Sequence, residues 1–234
     1  MSSLTFQNMN VIIHGAQSVA ADWDQVKALL EPAAVPERRG RSGVPLPDDH
    51  SLRTEVEDLH EVLDQHKNAT LIGHSYGGLI ALLAAQERDD LEALVLYEPA
   101  LHVDSAKVAS FRHALSRGDR DLALEIMVTE IAGEQQFRDT DPEGWLKAQE
   151  LLETTSRELA TVESFRYQPP KLQVPVTVIV GEHTDHIFGP AARDVVRDTG
   201  GTLVTLEGEG HIAHVTNPEL LAATIRNGSS TLSA

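Results

Sequence analysis

Short apolar runs alternate with helical stripes along the first hundred residues. Val11-Ile12-Ile13 is a β-branched run that ends at His14-Gly15, the pattern of a buried strand closed by a glycine turn. Trp23 then opens a helical stretch, with Asp22 or Asp24 at its start and Val26, Leu29 and Leu30 on one face. Ala33-Ala34-Val35 reads as a short strand stopped by Pro36, and a charged, Gly-rich loop follows from Glu37 to Gly43. Over residues 51–66, Leu52, Val56, Leu59, Val62 and Leu63 repeat at helical spacing behind Ser51 as N-cap. Residues 69–72 form the next strand, 79–85 a helix, and 94–97 another strand closed by Glu98-Pro99. Strand and helix in strict alternation predict a parallel sheet covered by helices, an α/β fold.

The middle of the chain differs. Residues 102–165 show no strand pattern and three helical ones, over 106–115, 119–131 and 141–164, the last with Asp141 capping ahead of Pro142. This block reads as a small helical cap inserted between strands, which divides the chain into a core of residues 1–101 and 166–234 and an insert of 102–165. Beyond Pro169-Pro170 the alternation resumes. A strand over 174–180 leads to the loop Gly181-Glu182-His183-Thr184-Asp185-His186. A helix over 190–198, a strand over 202–206, the turn Glu207-Gly208-Glu209-Gly210-His211 and a helix over 218–226 complete the pattern.

Composition narrows the function. The 234 residues carry 19 Lys and Arg against 36 Asp and Glu, a formal net charge of -17. Phosphate backbones and anionic membrane surfaces need clustered cations, so neither nucleic acid nor membrane is an expected partner. There is no cysteine, which removes disulfides, thiolate nucleophiles and thiolate metal sites. No stretch has the start of a secretion signal or the ~18 apolar residues of a membrane span. A cytoplasmic protein acting on a small molecule is the expectation; a homodimer stays open.

The candidate chemistry begins at Gly73-His74-Ser75-Tyr76-Gly77-Gly78. A serine at the tip of a strand-to-helix turn sits on strained backbone, and Gly73 and Gly77 clear the space a side chain would fill. The following helix aims unpaired N–H groups at charge forming there. A serine hydroxyl needs a base, and histidine is the usual one near neutral pH. Ligands gather at the carboxyl ends of strands in an open parallel sheet. Of eleven histidines, His211 is delivered to that edge by the Gly-Glu-Gly turn after the last strand. Two carboxylates compete as its partner: Asp185, favoured by the order Ser…Asp…His, and Glu98, just past its own strand end. The backbone N–H groups of Tyr76 and Ala16 are the candidate oxyanion donors. His14 and His74 are expected beside the site as supports. His14, Gly15, His74 and Trp145 are candidate substrate contacts, and Leu101, Phe111, Met127 and Phe137 are weighed as pocket lining against packing within the cap. His183-Thr184-Asp185-His186 and His211-Ile212-Ala213-His214 offer metal donors, but both read as loops in which such pairs do not converge, so neither metal nor cofactor is expected.

Taken together, the chain resembles the α/β-hydrolase superfamily. The resemblance rests on His14-Gly15 and Trp23, the loop from Glu37 to Ser42, Gly73 to Gly78, Tyr97-Glu98-Pro99, Gly181 to Asp185, and Gly208 to His211 leading to Asn217-Pro218-Glu219, in family order over nearly the whole chain. It implies a serine hydrolase built on Ser75 and His211, esterase-like, with a helical cap. A lyase, cyclase or dehydratase using the same groups for proton transfer is the alternative, and a non-catalytic small-molecule receptor the third reading. The chain departs from the family in two places. The Glu37 loop lacks a second glycine before Ser42. The family's acid position after the penultimate strand holds Thr184, with Asp185 one residue later, which keeps Glu98 in play.

Overall fold

The computed structural model describes residues 8–134 and 142–230. Six strands form one sheet: β1 (Asn10–Ile13), β2 (Ala33–Ala34), β3 (Thr70–His74), β4 (Ala93–Tyr97), β5 (Val176–Gly181) and β6 (Thr202–Leu206). Their spatial order is β2-β1-β3-β4-β5-β6, and every pairing is parallel. The uninterrupted apolar runs follow from burial on both faces. Val11, Ile13, Leu71, Leu94, Leu96 and Val178 point into one core, while their neighbours Ile12, Ile72, Val95, Tyr97 and Ile179 point into the other.

Helices α2 (Leu52–Asp64), α3 (Tyr76–Gln86) and the later α8 (Asp185–Thr199) cover the first face. A 3₁₀ turn (Ala20–Trp23), α1 (Asp24–Leu29) and the last helix, α10 (Pro218–Ser230), cover the second. Ser51 caps α2 by accepting from the Thr54 N–H at 3.3 Å.

Between β4 and β5 lie α4 (Ser105–Ser116), α5 (Arg120–Glu125) running into a π-helical segment (Ile126–Ile131), α6 (Pro142–Ala148), a 3₁₀ turn (Gln149–Leu151) and α7 (Leu152–Ser164). Asp119 caps α5 through the Leu122 N–H. These helices bury a cluster of their own, with Val108, Phe111, Leu124, Met127, Trp145 and Leu152. Asp141 and Phe137 lie outside the described residues.

Three local expectations need correction. The stretch expected as one helix over 141–164 is broken at Gln149–Leu151 by a 3₁₀ turn. Helix α8 starts at Asp185, not near Pro190; the proline sits inside it. A short helix, α9 (Ala213–Thr216), follows His211 and precedes α10, which runs past residue 226. Among the described residues no helix is long and apolar enough to cross a membrane.

Candidate active site

Ser75 stands between β3 and α3 with φ 54° and ψ -120°, a conformation that costs a non-glycine residue free energy and persists where the surroundings impose it. The sheet holds both sides of it: the Ser75 N–H bonds to Tyr97 O at 3.0 Å, and Ser75 O accepts from Ala100 N at 2.9 Å. The glycines are required by close approach. A Cβ on Gly77 would lie 2.2 Å from Ile13 O, and one on Gly73 would lie 2.6 Å from the Ala81 methyl.

His211 is buried where the turn after β6 meets the sheet edge, and its ring stacks on Phe188 at 4.2 Å with the planes 3° apart. On the other side, His74 donates Nε2–H to His211 O at 2.9 Å, which fixes the His74 tautomer and the height of the turn. Glu134, three residues past the cap's π-helical segment, accepts the N–H groups of His211 and, at 3.1 Å, Ile212. The hydroxyl of Tyr97 donates to Gly210 O and accepts from Ala213 N. The turn carrying His211 is thus held from the sheet, the cap and its own flank.

The carboxylate at the imidazole is Glu98. Its Oε2 lies 2.5 Å from His211 Nδ1. Its Oε1 accepts from the Thr184 hydroxyl at 2.6 Å and the Gly181 N–H at 2.7 Å. Like Ser75, Glu98 sits just past a strand end at positive φ, 46°. The expectation that Asp185 faces the ring is corrected. Asp185 opens α8, its side chain is 42% exposed, and its Oδ1 accepts from Arg193 two turns along the same helix at 2.8 Å. Thr184, at the position where the resemblance implies an acid, donates its hydroxyl to Glu98. Burial pushes the Glu98 carboxyl up to about 7, against the two hydrogen bonds, and pushes the imidazole of His211 down to about 3. A lone charge is disfavoured on either partner, and at this separation the pair titrates as a unit.

Ser75 and His211 together line two cavities. One, of about 280 Å³, is walled by Val103, Met127, Ile131, Leu159, Val162 and Phe188, with Glu158 and Lys107 at polar points. The other, of about 690 Å³, is more polar and carries Gln17, Asp22, Glu134, Glu143, Lys147 and His214. Ala16 lines both and Tyr76 the smaller.

The remaining predicted residues divide. His74 lines the larger cavity. His14 is buried away from both and meets Glu37 Oε1 at 3.0 Å through Nε2, so it supports the turn and does not contact a ligand. Gly15 packs on Ser75; a Cβ there would lie 2.9 Å from Ser75 Cβ. Trp145 is also corrected: it is buried in the cap core and donates its indole N–H to Asp121 at 2.8 Å. Phe111 packs in the cap core and Leu101 in the main core, while Met127 reaches both cavities. Among the described residues no three His, Asp or Glu side chains come together to hold a metal ion.

The loop from Glu37 to Ser42, charged and Gly-rich in sequence, holds none of the predicted site residues. Arg38 and Arg41 are buried there, between Glu55 of α2 and Glu158 of α7. Three arginines in a glycine loop directly after a strand were the available signal.

The sequence profile of the alpha/beta hydrolase family matches residues 11–224. Lipase LipV of Mycobacterium tuberculosis is 32% identical over 101 residues, 41% of this chain and 39% of the lipase, so the match spans about two fifths of that relative's length. Among solved structures, an alpha/beta hydrolase from Sphaerobacter thermophilus superposes with a TM-score of 0.77 at 20% identity, over 94% of this chain and 92% of that one. An esterase from Exiguobacterium antarcticum gives 0.79 at 18% identity, over 95% and 92%. At such identities the structures establish a shared fold.

Proposed function

The chain belongs to the alpha/beta hydrolase family, and from that premise we propose that it hydrolyses an ester, thioester, lactone or related acyl bond of a small molecule through Ser75, His211 and Glu98. The contact between His211 Nδ1 and a buried carboxylate, with Ser75 and the same histidine lining one cavity, carries this reading.

Each group has one task. Glu98 accepts Nδ1–H, which leaves Nε2 as the basic nitrogen and opposes the positive charge the ring acquires. Nε2 takes the Ser75 proton as Oγ attacks the acyl carbon. The carbonyl oxygen, now an anion, is received by the Ala16 and Tyr76 N–H groups. The imidazolium returns the proton to the leaving oxygen or sulfur, and the acyl group stays on Ser75. Water, deprotonated by Nε2, attacks the acyl-enzyme; the tetrahedral intermediate expels Ser75 Oγ, which recovers its proton. No step draws on a cofactor.

The apolar cavity of about 280 Å³ suits an aliphatic acyl chain of modest length, and the larger, more polar cavity suits the leaving group. Esters of p-nitrophenol with two to ten acyl carbons test the reading. Turnover is expected with the parent protein and is lost in Ser75→Ala, and a fluorophosphonate labels the parent at Ser75 only. Labelling without turnover of any ester or lactone would move the assignment to proton-transfer chemistry; neither labelling nor turnover would leave the site without an activated serine.

A further inference from the structure

The oxyanion turn, residues 14–18, is gripped from the loop after β2. Gly15 O accepts from Arg38 Nη1 at 3.0 Å, His14 O accepts from the same nitrogen at 3.3 Å, and Ser18 O accepts from Arg41 Nε at 2.8 Å. The first of these bonds has a directional consequence. Gly15 C=O and Ala16 N–H belong to one planar trans peptide, so they point in opposite directions. Holding the carbonyl on Arg38 aims the Ala16 N–H away from it, and a flip of that plane breaks the bond. Arg38 also lies over the Tyr76 ring, 4.8 Å from its centroid. One guanidinium therefore holds the carbonyl of the peptide that carries the Ala16 N–H and lies on the side chain of Tyr76, the other donor residue.

Both arginines are themselves held by carboxylates, and one of these belongs to the cap. Glu55 Oε1 accepts from Arg38 Nη2 at 2.7 Å within the core. Glu158, on α7, pairs with Arg38 and, at 2.8 Å, with Arg41. All four side chains are buried. One turn earlier on α7, the Thr155 hydroxyl donates to Gln17 Oε1 at 2.6 Å, while Gln17 Nε2 donates to Ala148 O at the end of α6. Gln17 follows Ala16 directly and sits at φ 55°, so its backbone geometry is one the surroundings must impose. Thr155 and Glu158, three residues apart, share a face of α7.

We propose that α7 of the cap sets the oxyanion hole: Glu158, acting through Arg38, and Thr155, acting through Gln17, are positioning residues for the Ala16 N–H. The inference rests on the serine-hydrolase reading above. It makes the hole competent when the cap is docked and ties transition-state stabilisation to a helix that contributes no reacting atom.

The test uses the full chain and a short-chain p-nitrophenyl ester that the parent hydrolyses. Glu158→Gln also strips the charge opposing two buried guanidiniums, so the deciding variants are Gln17→Leu and Thr155→Val, with Thr155→Ser as the conservative rescue. A loss of roughly 10- to 100-fold in kcat is expected, below the ~10²- to 10³-fold for removing one oxyanion donor outright because the donor is misaimed and not deleted, with KM within threefold of the parent. The inhibition constant of an alkyl boronic acid, whose tetrahedral adduct places an oxygen in the hole, rises by the same factor, and Thr155→Ser recovers most of both. Boronate affinity unchanged in Gln17→Leu and Thr155→Val, or kcat falling only in step with thermal stability, overturns the proposal. A parent that hydrolyses no ester and binds no boronate refutes the underlying hydrolase reading instead, and the two failures are told apart by the parent alone.

Discussion

Replacing Glu98 by Gln separates the two carboxylates most sharply. In the parent, Oε1 already takes two donors, from Thr184 and Gly181, and Oε2 faces His211 Nδ1 at 2.5 Å. A glutamine keeps the shape. Its amide oxygen goes to the two donors, so its NH₂ turns toward Nδ1. Nδ1 must then accept, and the ring carries its proton on Nε2, where a base is needed. The lost charge adds to the wrong tautomer. For centres ~4 Å apart at an effective dielectric of ~20, the carboxylate stabilises a forming imidazolium by about 4 kcal/mol. At about 1.4 kcal/mol per decade that is a factor of ~10³ in kcat. Asp185→Asn removes a half-exposed carboxylate bound to Arg193 and should change kcat less than threefold. Steady-state hydrolysis of p-nitrophenyl butyrate measures both, with fluorophosphonate labelling rate as a second readout. The reasoning fails if Glu98→Gln stays within tenfold of the parent, or if Asp185→Asn loses more than it does.

Other outcomes follow from the same coordinates. Burial lowers the pKa of His14, His74, His211 and His214, each from the ordinary 6.5. Below pH 6.5 the unfolded chain binds protons that the native chain refuses, and each histidine costs about 1.4 kcal/mol of stability per pH unit once its unfolded form is fully charged. Glu98, raised to about 7, works in the opposite sense: its contribution is full below pH 4.5 and is lost as pH rises through 7. The four lowered histidines outweigh the raised carboxyls of Glu98 and Glu134, so urea midpoints should fall from pH 7 to 5.5, and a flat profile would count against neutral buried histidines. Thr184→Val removes one donor to Glu98 and should lower kcat roughly tenfold, the worth of one hydrogen bond to a charged group, with Thr184→Ser near the parent in the same ester assay. Val162→Phe fills part of the small cavity and should cut turnover of octanoyl esters while sparing acetyl esters; an equal loss on both would remove that cavity as the acyl site.

The serine turn was legible in the chain because its geometry is local. Strand 69–72, the glycines at 73 and 77 and the apolar stretch after them describe a turn that needs no distant partner to exist. His211 was legible for a related reason, since a strand end plus a short glycine turn delivers a side chain to a known edge. The place of Trp145 within the cap was not. An apolar residue in a helical block fits a pocket wall or a core equally well, and only the position of Asp121 beside the indole decided between them.

The sequence by itself therefore determined the alternation of elements, the serine turn, the histidine and the sheet edge where they meet. It left two carboxylates at that edge, because order along a chain does not say where a side chain points. The tertiary structure decided it through three features no local pattern encodes. Glu98 is turned inward at positive φ, Asp185 is held at the surface by Arg193, and Thr184 donates to Glu98. The buried Arg38, Arg41, Glu55 and Glu158 belong to the same class. Charges drawn from a loop, a core helix and the cap become one neutral cluster when the cap docks, and they can be buried only because they meet.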